Sequence, residues 1–136
     1  MIPELLTGHG PSEVSAGFWE ATARGELAIQ RCELCPRFQH PPRAVCAACG
    51  GTDLGFTAVS GRGTLYSHTV VERAFLPELR SVVPYAIGLV DLAEGPRLMA
   101  GLRIEADRLA IGLPVVATFV PVTAEVTLPY FVAAAG

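Results

Sequence analysis

The stretch "RCELCPRFQHPPRAVCAACGG", residues 31–51, holds every cysteine of the chain: Cys32, Cys35, Cys46 and Cys49. Two residues separate the members of each pair, and ten lie between the pairs. A two-residue gap turns both sulfurs of a pair toward one point, and two such knuckles facing each other supply four thiolates to one tetrahedral ion. Four protein ligands fill the coordination sphere and leave no place for water or substrate, so the spacing predicts a zinc that holds structure and activates no nucleophile. The same four-sulfur set suits iron. A thioredoxin-like redox pair needs one such motif at the start of a helix, and disulfides need an oxidising compartment. Gly50 and Gly51 after the second pair suit a left-handed backbone whose amides point at a thiolate. Pro36 after the first pair has no amide to give. The knuckles should be unequal, with the first the readier to lose metal or oxidise.

Working outward, "ELAIQR" (26–31) reads as a strand entering the cysteine segment and "LGFTAV" (54–59) as one leaving it, so the cysteines should lie between strands. Ahead of them, residues 1–11 carry Pro3, Gly8, Gly10 and Pro11 and are expected to form an irregular lead. Ser12 is placed to cap a short helix running to about Arg24 and stopped by Gly25. Phe18 and Trp19 are neighbours that cannot share the centre of one narrow stripe, so this helix should touch two surfaces.

After "SGRG" (60–63) the period becomes two, with Leu65, Ser67, Thr69 and Val71 expected on one face and Tyr66, His68, Val70 and Glu72 on the other. Further strands follow at "YAIGLVDL" (85–92), "RLMAGLRI" (97–104), "VVATFVPV" (115–122) and "EVTLPYFV" (125–132), separated by turns rich in Gly and Pro. Five strands of this length predict a small barrel, best matched by an OB-like Greek key. The organisation expected is a lead and helix over 1–25, a zinc ribbon over 26–60 and a five-stranded OB-fold barrel over 61–136. The protein should therefore be mainly β.

The 136 residues are 51% hydrophobic and 17% charged. So apolar a surface on so small a chain points to a face covered by another chain or a ligand. The net charge of −3 disfavours phosphate-driven nucleic-acid binding, which needs a basic stripe. All ten cations are Arg, so lysine Schiff-base chemistry is ruled out. The three histidines are scattered, with no nucleophile elbow and no Gly-rich phosphate loop. The start of the chain has neither a basic n-region nor a long apolar run. With no segment reading as a membrane span, a cytoplasmic, reducing location is expected.

Taken in order, "GFWEATARGELAIQRC", "PPRAVCAACG", "SGRGTLYSHTVV", "PYAIGLVDLAEGPRLM" and "IGLPVVATF" resemble the DUF35 family over about residues 14–132. The resemblance implies a helical segment and rubredoxin-like zinc ribbon joined to an acyl-CoA-associated OB-fold. It also implies an accessory role beside a thiolase-like or ketosynthase-like subunit, sometimes with a MaoC-like hydratase. Systems of this kind include thiolases, hydroxymethylglutaryl-CoA synthase complexes and steroid side-chain aldolases, in which the partner carries the catalytic residues. Cys32, Cys35, Cys46 and Cys49 match the family's metal ligands. Pro36 departs from it, since Gly is common there. Structural Zn2+ and a bound acyl-CoA are thus the expected cofactor and ligand, with Arg43 and Arg62 as phosphate contacts and His68 facing a ligand cleft. His40, close to the knuckle, is a candidate for the metal's surroundings or an interface. The competing reading is an OB-fold and zinc-ribbon module for single-stranded nucleic acid, which only a positive groove with stacked aromatics would support.

Overall fold

The computed structural model describes residues 12–135; the expected lead over 1–11 lies outside them. One helix, α1 (Ala16–Ala23), precedes eight strands: β1 (Leu27–Cys32), β2 (Phe38–Gln39), β3 (Leu54–Val59), β4 (Arg62–Val71), β5 (Tyr85–Leu92), β6 (Arg97–Leu102), β7 (Pro114–Pro121) and β8 (Thr127–Ala133). β1, β2 and β3 form an antiparallel sheet in the order β2-β1-β3, and β4 to β8 close a barrel in the order β4-β5-β6-β8-β7. The single parallel contact of the barrel, β6 to β8, spans only Gly101↔Tyr130 and Leu102↔Phe131. This is the mainly β, OB-like architecture expected.

α1 begins later than the sequence implies. Ser12 and Ser15 bond each other instead, Ser15 N donating to Ser12 Oγ at 3.2 Å and Ser12 N to Ser15 Oγ at 3.0 Å. Mutual side-chain bonding of this kind competes with capping and holds the backbone in a turn. Ser15 takes the N-terminal position without a side-chain cap, and Gly25 ends the helix at φ +77°.

Two surfaces do meet α1. Phe18 is buried in a core cluster that also takes Leu27 and Ile29 from the ribbon sheet and Leu65, Val90, Leu102 and Phe131 from the barrel. Ribbon and barrel thus share one interior. Trp19 packs edge-on to Phe18, ring centroids 5.0 Å apart, and stays half-buried. The joint at residues 60–61 is pinned from the barrel side, where Glu94 Oε2 accepts from Ser60 N at 2.9 Å and Ala117 N donates to Gly61 O at 2.8 Å. Desolvation would raise the Glu94 pKa, but hydrogen bonds from Ser60 and from its own backbone N–H outweigh it and hold the carboxyl below its ordinary value.

The cysteines lie along the connection from β1 to β3 as expected, and a short strand not read from sequence, β2, sits between the knuckles and pairs with β1 through Gln30↔Gln39 and Arg31↔Phe38. One expectation fails on local detail. The strict alternation along β4 is broken by a bulge: Leu65 pairs with Val90 but Ser67 with the next residue, Leu89. Partners across an antiparallel ladder share a face, so Leu65 and Ser67 lie on opposite faces and the expected sets are split. Tyr66 is the extra residue. Its ring lies outside the barrel beneath the Arg97 guanidinium, 3.4 Å from the ring centroid. Asp91 Oδ1 accepts from Arg97 Nε at 2.6 Å, which lowers the Asp91 pKa and raises that of Arg97.

Candidate metal centre and adjoining groove

The four sulfurs lie within 4.8 Å of one another, and the Cys32–Cys49 and Cys35–Cys46 pairs are each 3.6 Å apart. A tetrahedral ion with metal–sulfur bonds of about 2.3 Å requires sulfurs about 3.8 Å apart, so the two 3.6 Å pairs fit such an ion and the wider separations close on it by no more than about 1 Å. Backbone amides serve the sulfurs: Leu34 N and Cys35 N each donate to Cys32 Sγ at 3.4 Å. The N–H groups of Cys49 and Ala48 hold the Cys46 thiol down to about 6, outweighing its burial. At Cys49 the Gly51 N–H favours the thiolate, but the neighbouring Cys32, Cys35 and Cys46 thiols and burial push it up to about 12. Crowded like charges cannot all form unless a cation neutralises them.

The glycine pair divides its work. Gly50 adopts φ +77° and returns its N–H to Cys46 O at 2.9 Å. Gly51 leaves room for Leu34, whose Cδ1 would stand 2.9 Å from any Cβ placed there. Position 36 also has a positive φ, +23°, and here carries Pro. A left-handed backbone explains why Gly suits that place and makes Pro36 a strained substitute.

The ten-residue connection is held by a feature the sequence reading missed. Gln30, only 4% exposed, donates from Nε2 to Arg43 O at 2.8 Å, while its Oε1 accepts from Arg43 N at 2.9 Å and from Gln39 Nε2 at 2.6 Å. Gln39 Oε1 in turn accepts from Ala47 N at 2.9 Å. Two glutamines thereby fix the backbone leading into the second knuckle. Alternation marked Gln30 as a strand residue but not as a buried one.

Beside the ribbon runs a groove of two chambers. The larger, about 820 Å³, reaches from Tyr85 and Ile87 to Arg103 and Glu105 along the outside of β5 and β6. The smaller, about 400 Å³, lies between α1, residues 40–42 and the barrel, and is lined by Phe18, Trp19 and His40. Both take in Met99, Ala100, Gly101, Leu128 and Tyr130, so they adjoin. His40 Nδ1 is buried there without a hydrogen-bond partner, its ring 5.6 Å from that of Phe18, and burial lowers its pKa. Burial raises the Tyr130 pKa, partly offset by Arg103, whose guanidinium stands 5.2 Å from that ring.

Of the residues picked from sequence, the structure brings the four cysteines together and sets His40 in the groove. Arg43, Arg62 and His68 are exposed and line neither chamber. His68 does not share a face with Tyr66: the bulge puts it in register with Gly88, on the side that carries Leu65. The cation that does line the groove, Arg103, carried no sequence signal.

A four-cysteine ribbon joined at residues 60–61 to a closed OB-like barrel, with one helix packed against both, defines a class of zinc-ribbon and OB-fold proteins, and the family models agree. The ChsH2 rubredoxin-like zinc ribbon domain matches residues 19–55 and the ChsH2 C-terminal OB-fold domain residues 56–120. The chain belongs to the DUF35 family. A solved structure titled "Ltp2-ChsH2(DUF35) aldolase" superposes with a TM-score of 0.83 at 35% identity, over 93% of this chain and 98% of that one. A probable enoyl-CoA hydratase alpha subunit of Thermomonospora curvata is 39% identical over 95% of this chain, and the benzoylsuccinyl-CoA thiolase subunit BbsA of Thauera aromatica 32% identical over 62%. The chain spans 40% and 58% of the lengths of these two relatives. No helix among the described residues is long and apolar enough to cross a membrane.

Proposed function

We propose that this chain is a noncatalytic, zinc-stabilised accessory subunit of an acyl-CoA-processing complex, supporting a thiolase-like partner and forming one wall of its acyl-CoA channel. Cys32, Cys35, Cys46 and Cys49 would hold the ion, which supplies rigidity to a ribbon too small to build its own core. The observation that carries the reading is the groove. It is a largely apolar trough beside a four-sulfur ribbon, with Arg103 at one end, and among the described residues its lining holds no hydrogen-bonded pair of nucleophile and base. Such a surface binds and orients a long thioester; the reacting groups come from the facing protein. The named relatives, an aldolase assembly, a hydratase subunit and a thiolase subunit, support partners of the thiolase-like or MaoC-like hydratase kind. Arg43 and Arg62, exposed outside the groove, remain proposed contacts for CoA phosphates, and His68, also outside it, a proposed ligand-facing residue.

Co-expression with the product of the neighbouring gene tests whether that partner is thiolase-like. A stable complex should co-purify, and the partner's turnover of an acyl-CoA should rise when the chain is present. Tight, salt-sensitive binding to a random single-stranded oligonucleotide with no such partner recovered would favour the nucleic-acid reading, and partner activity indifferent to the chain would refute the supporting role.

A further inference from the structure

Tyr130 stands where the two chambers meet. It lies on β8 at the parallel contact with β6, opposite Gly101, and its neighbour Phe131 turns into the core. The Tyr130 ring covers Gly101 so closely that a Cβ at that position would overlap it. The ring therefore rests flat against the outer wall of the barrel and contributes to both chambers. The two sides differ in chemistry. On the larger side the Arg103 guanidinium is exposed and stands over the ring, a planar cation suited to phosphate oxygens. On the smaller side the walls are mainly Phe18, Trp19 and prolines, with Ser15 at the lining and the buried His40 Nδ1 left without a hydrogen-bond partner. A buried nitrogen without a partner costs free energy that an oxygen on a ligand would recover.

We propose that Tyr130 is the specificity-determining partition of this groove: it separates a head chamber, where Arg103 takes the phosphates of a CoA thioester, from a tail chamber beside Trp19 and His40 that receives the acyl group. Placement of the ring sets how bulky an acyl group enters, and His40 Nδ1 meets an oxygen substituent on it. The inference rests on the acyl-CoA reading above and adds which end of the thioester lies where.

Trp19 is the only tryptophan of the chain, so its emission reports on the tail chamber alone. The purified full chain is titrated with acetyl-CoA and with decanoyl-CoA, following heat by calorimetry and Trp19 fluorescence in parallel. Both ligands should bind and both should weaken about tenfold in Arg103→Ala, the loss of one charge-assisted contact. Only decanoyl-CoA should change the Trp19 emission. Tyr130→Ala should raise the affinity ratio of decanoyl-CoA to acetyl-CoA by about tenfold, as two further methylenes find cover. Tyr130→Phe, which keeps the ring, should leave that ratio as it was, and this variant holds the test open if the alanine form folds poorly. Binding of both ligands with a silent Trp19, or a ratio that Tyr130→Ala does not move, would overturn the partition while leaving the acyl-CoA reading intact. Binding of neither CoA ester would overturn the partition, whereas the accessory role stands or falls separately on co-purification with the partner.

Discussion

Replacing Gln30 by Leu tests whether the ribbon's metal affinity is set partly by residues that never touch the metal. Gln30 makes three hydrogen bonds, two to the Arg43 backbone and one from Gln39. At about 1 kcal/mol net per bond, their loss amounts to about 3 kcal/mol. Leu is of similar size and recovers about 1 kcal/mol by burying an apolar side chain in the same place. The balance is a loss of about 2 kcal/mol. Because these bonds hold residues 39–47 in the path that delivers Cys46 and Cys49, the loss falls on the equilibrium between assembled and unassembled site. Zinc affinity should drop about 30-fold. Competition against a chromophoric chelator at neutral pH, under reducing conditions, measures it directly. If Gln30→Leu holds zinc as tightly as the wild type and melts at the same temperature, the glutamine network is not what preorganises the second knuckle.

Three further outcomes are expected. Cys46→Ser should abolish stoichiometric metal and leave the ribbon poorly folded, with a loss of barrel stability as well because the core is shared; metal analysis with circular dichroism reports both, and a metal-free variant with native spectrum contradicts the structural role of the ion. Pro36→Gly should relieve a backbone strain of about 1–3 kcal/mol, less about 1 kcal/mol for glycine's unfolded-state entropy, and so slow metal release; faster release would show that proline is accommodated without strain. His40 has a pKa held below its ordinary 6.5 by burial, so the folded state favours the neutral ring. Its contribution is complete above about pH 6.5 and is lost as pH falls through the lower folded value. Metal loss on acidification is common to both proteins, so the wild type should lose more stability than His40→Gln over that window, and parallel stability curves from denaturant titrations would contradict this.

Strand positions were legible because period-two runs between Gly and Pro turns leave few alternatives, and β3 and β5 fall where the alternation put them. The metal site was legible because four sulfurs at two short spacings have one common geometric solution. The bulge at Tyr66 was not, since one extra residue inverts every later side chain without altering composition. The start of α1 was missed because a serine pair three residues apart looks the same whether it caps or folds back on itself. The groove was invisible for a different reason. Arg103, Tyr130, Trp19 and His40 are far apart in sequence and meet only when helix, ribbon and barrel have packed. Apolar excess raises the expectation of a covered surface without locating it.

The single interior shared by α1, ribbon and barrel bears on how pieces of this protein can be recombined. Phe18 is seated among side chains from both sheets, so the helix acts as a keystone. A ribbon transplanted onto another barrel without that helix would arrive with its underside open to water. The transferable unit begins upstream of the metal, at the turn before Ala16, and chimeras cut at the joint near Gly61 should be outperformed by those that carry helix and ribbon together.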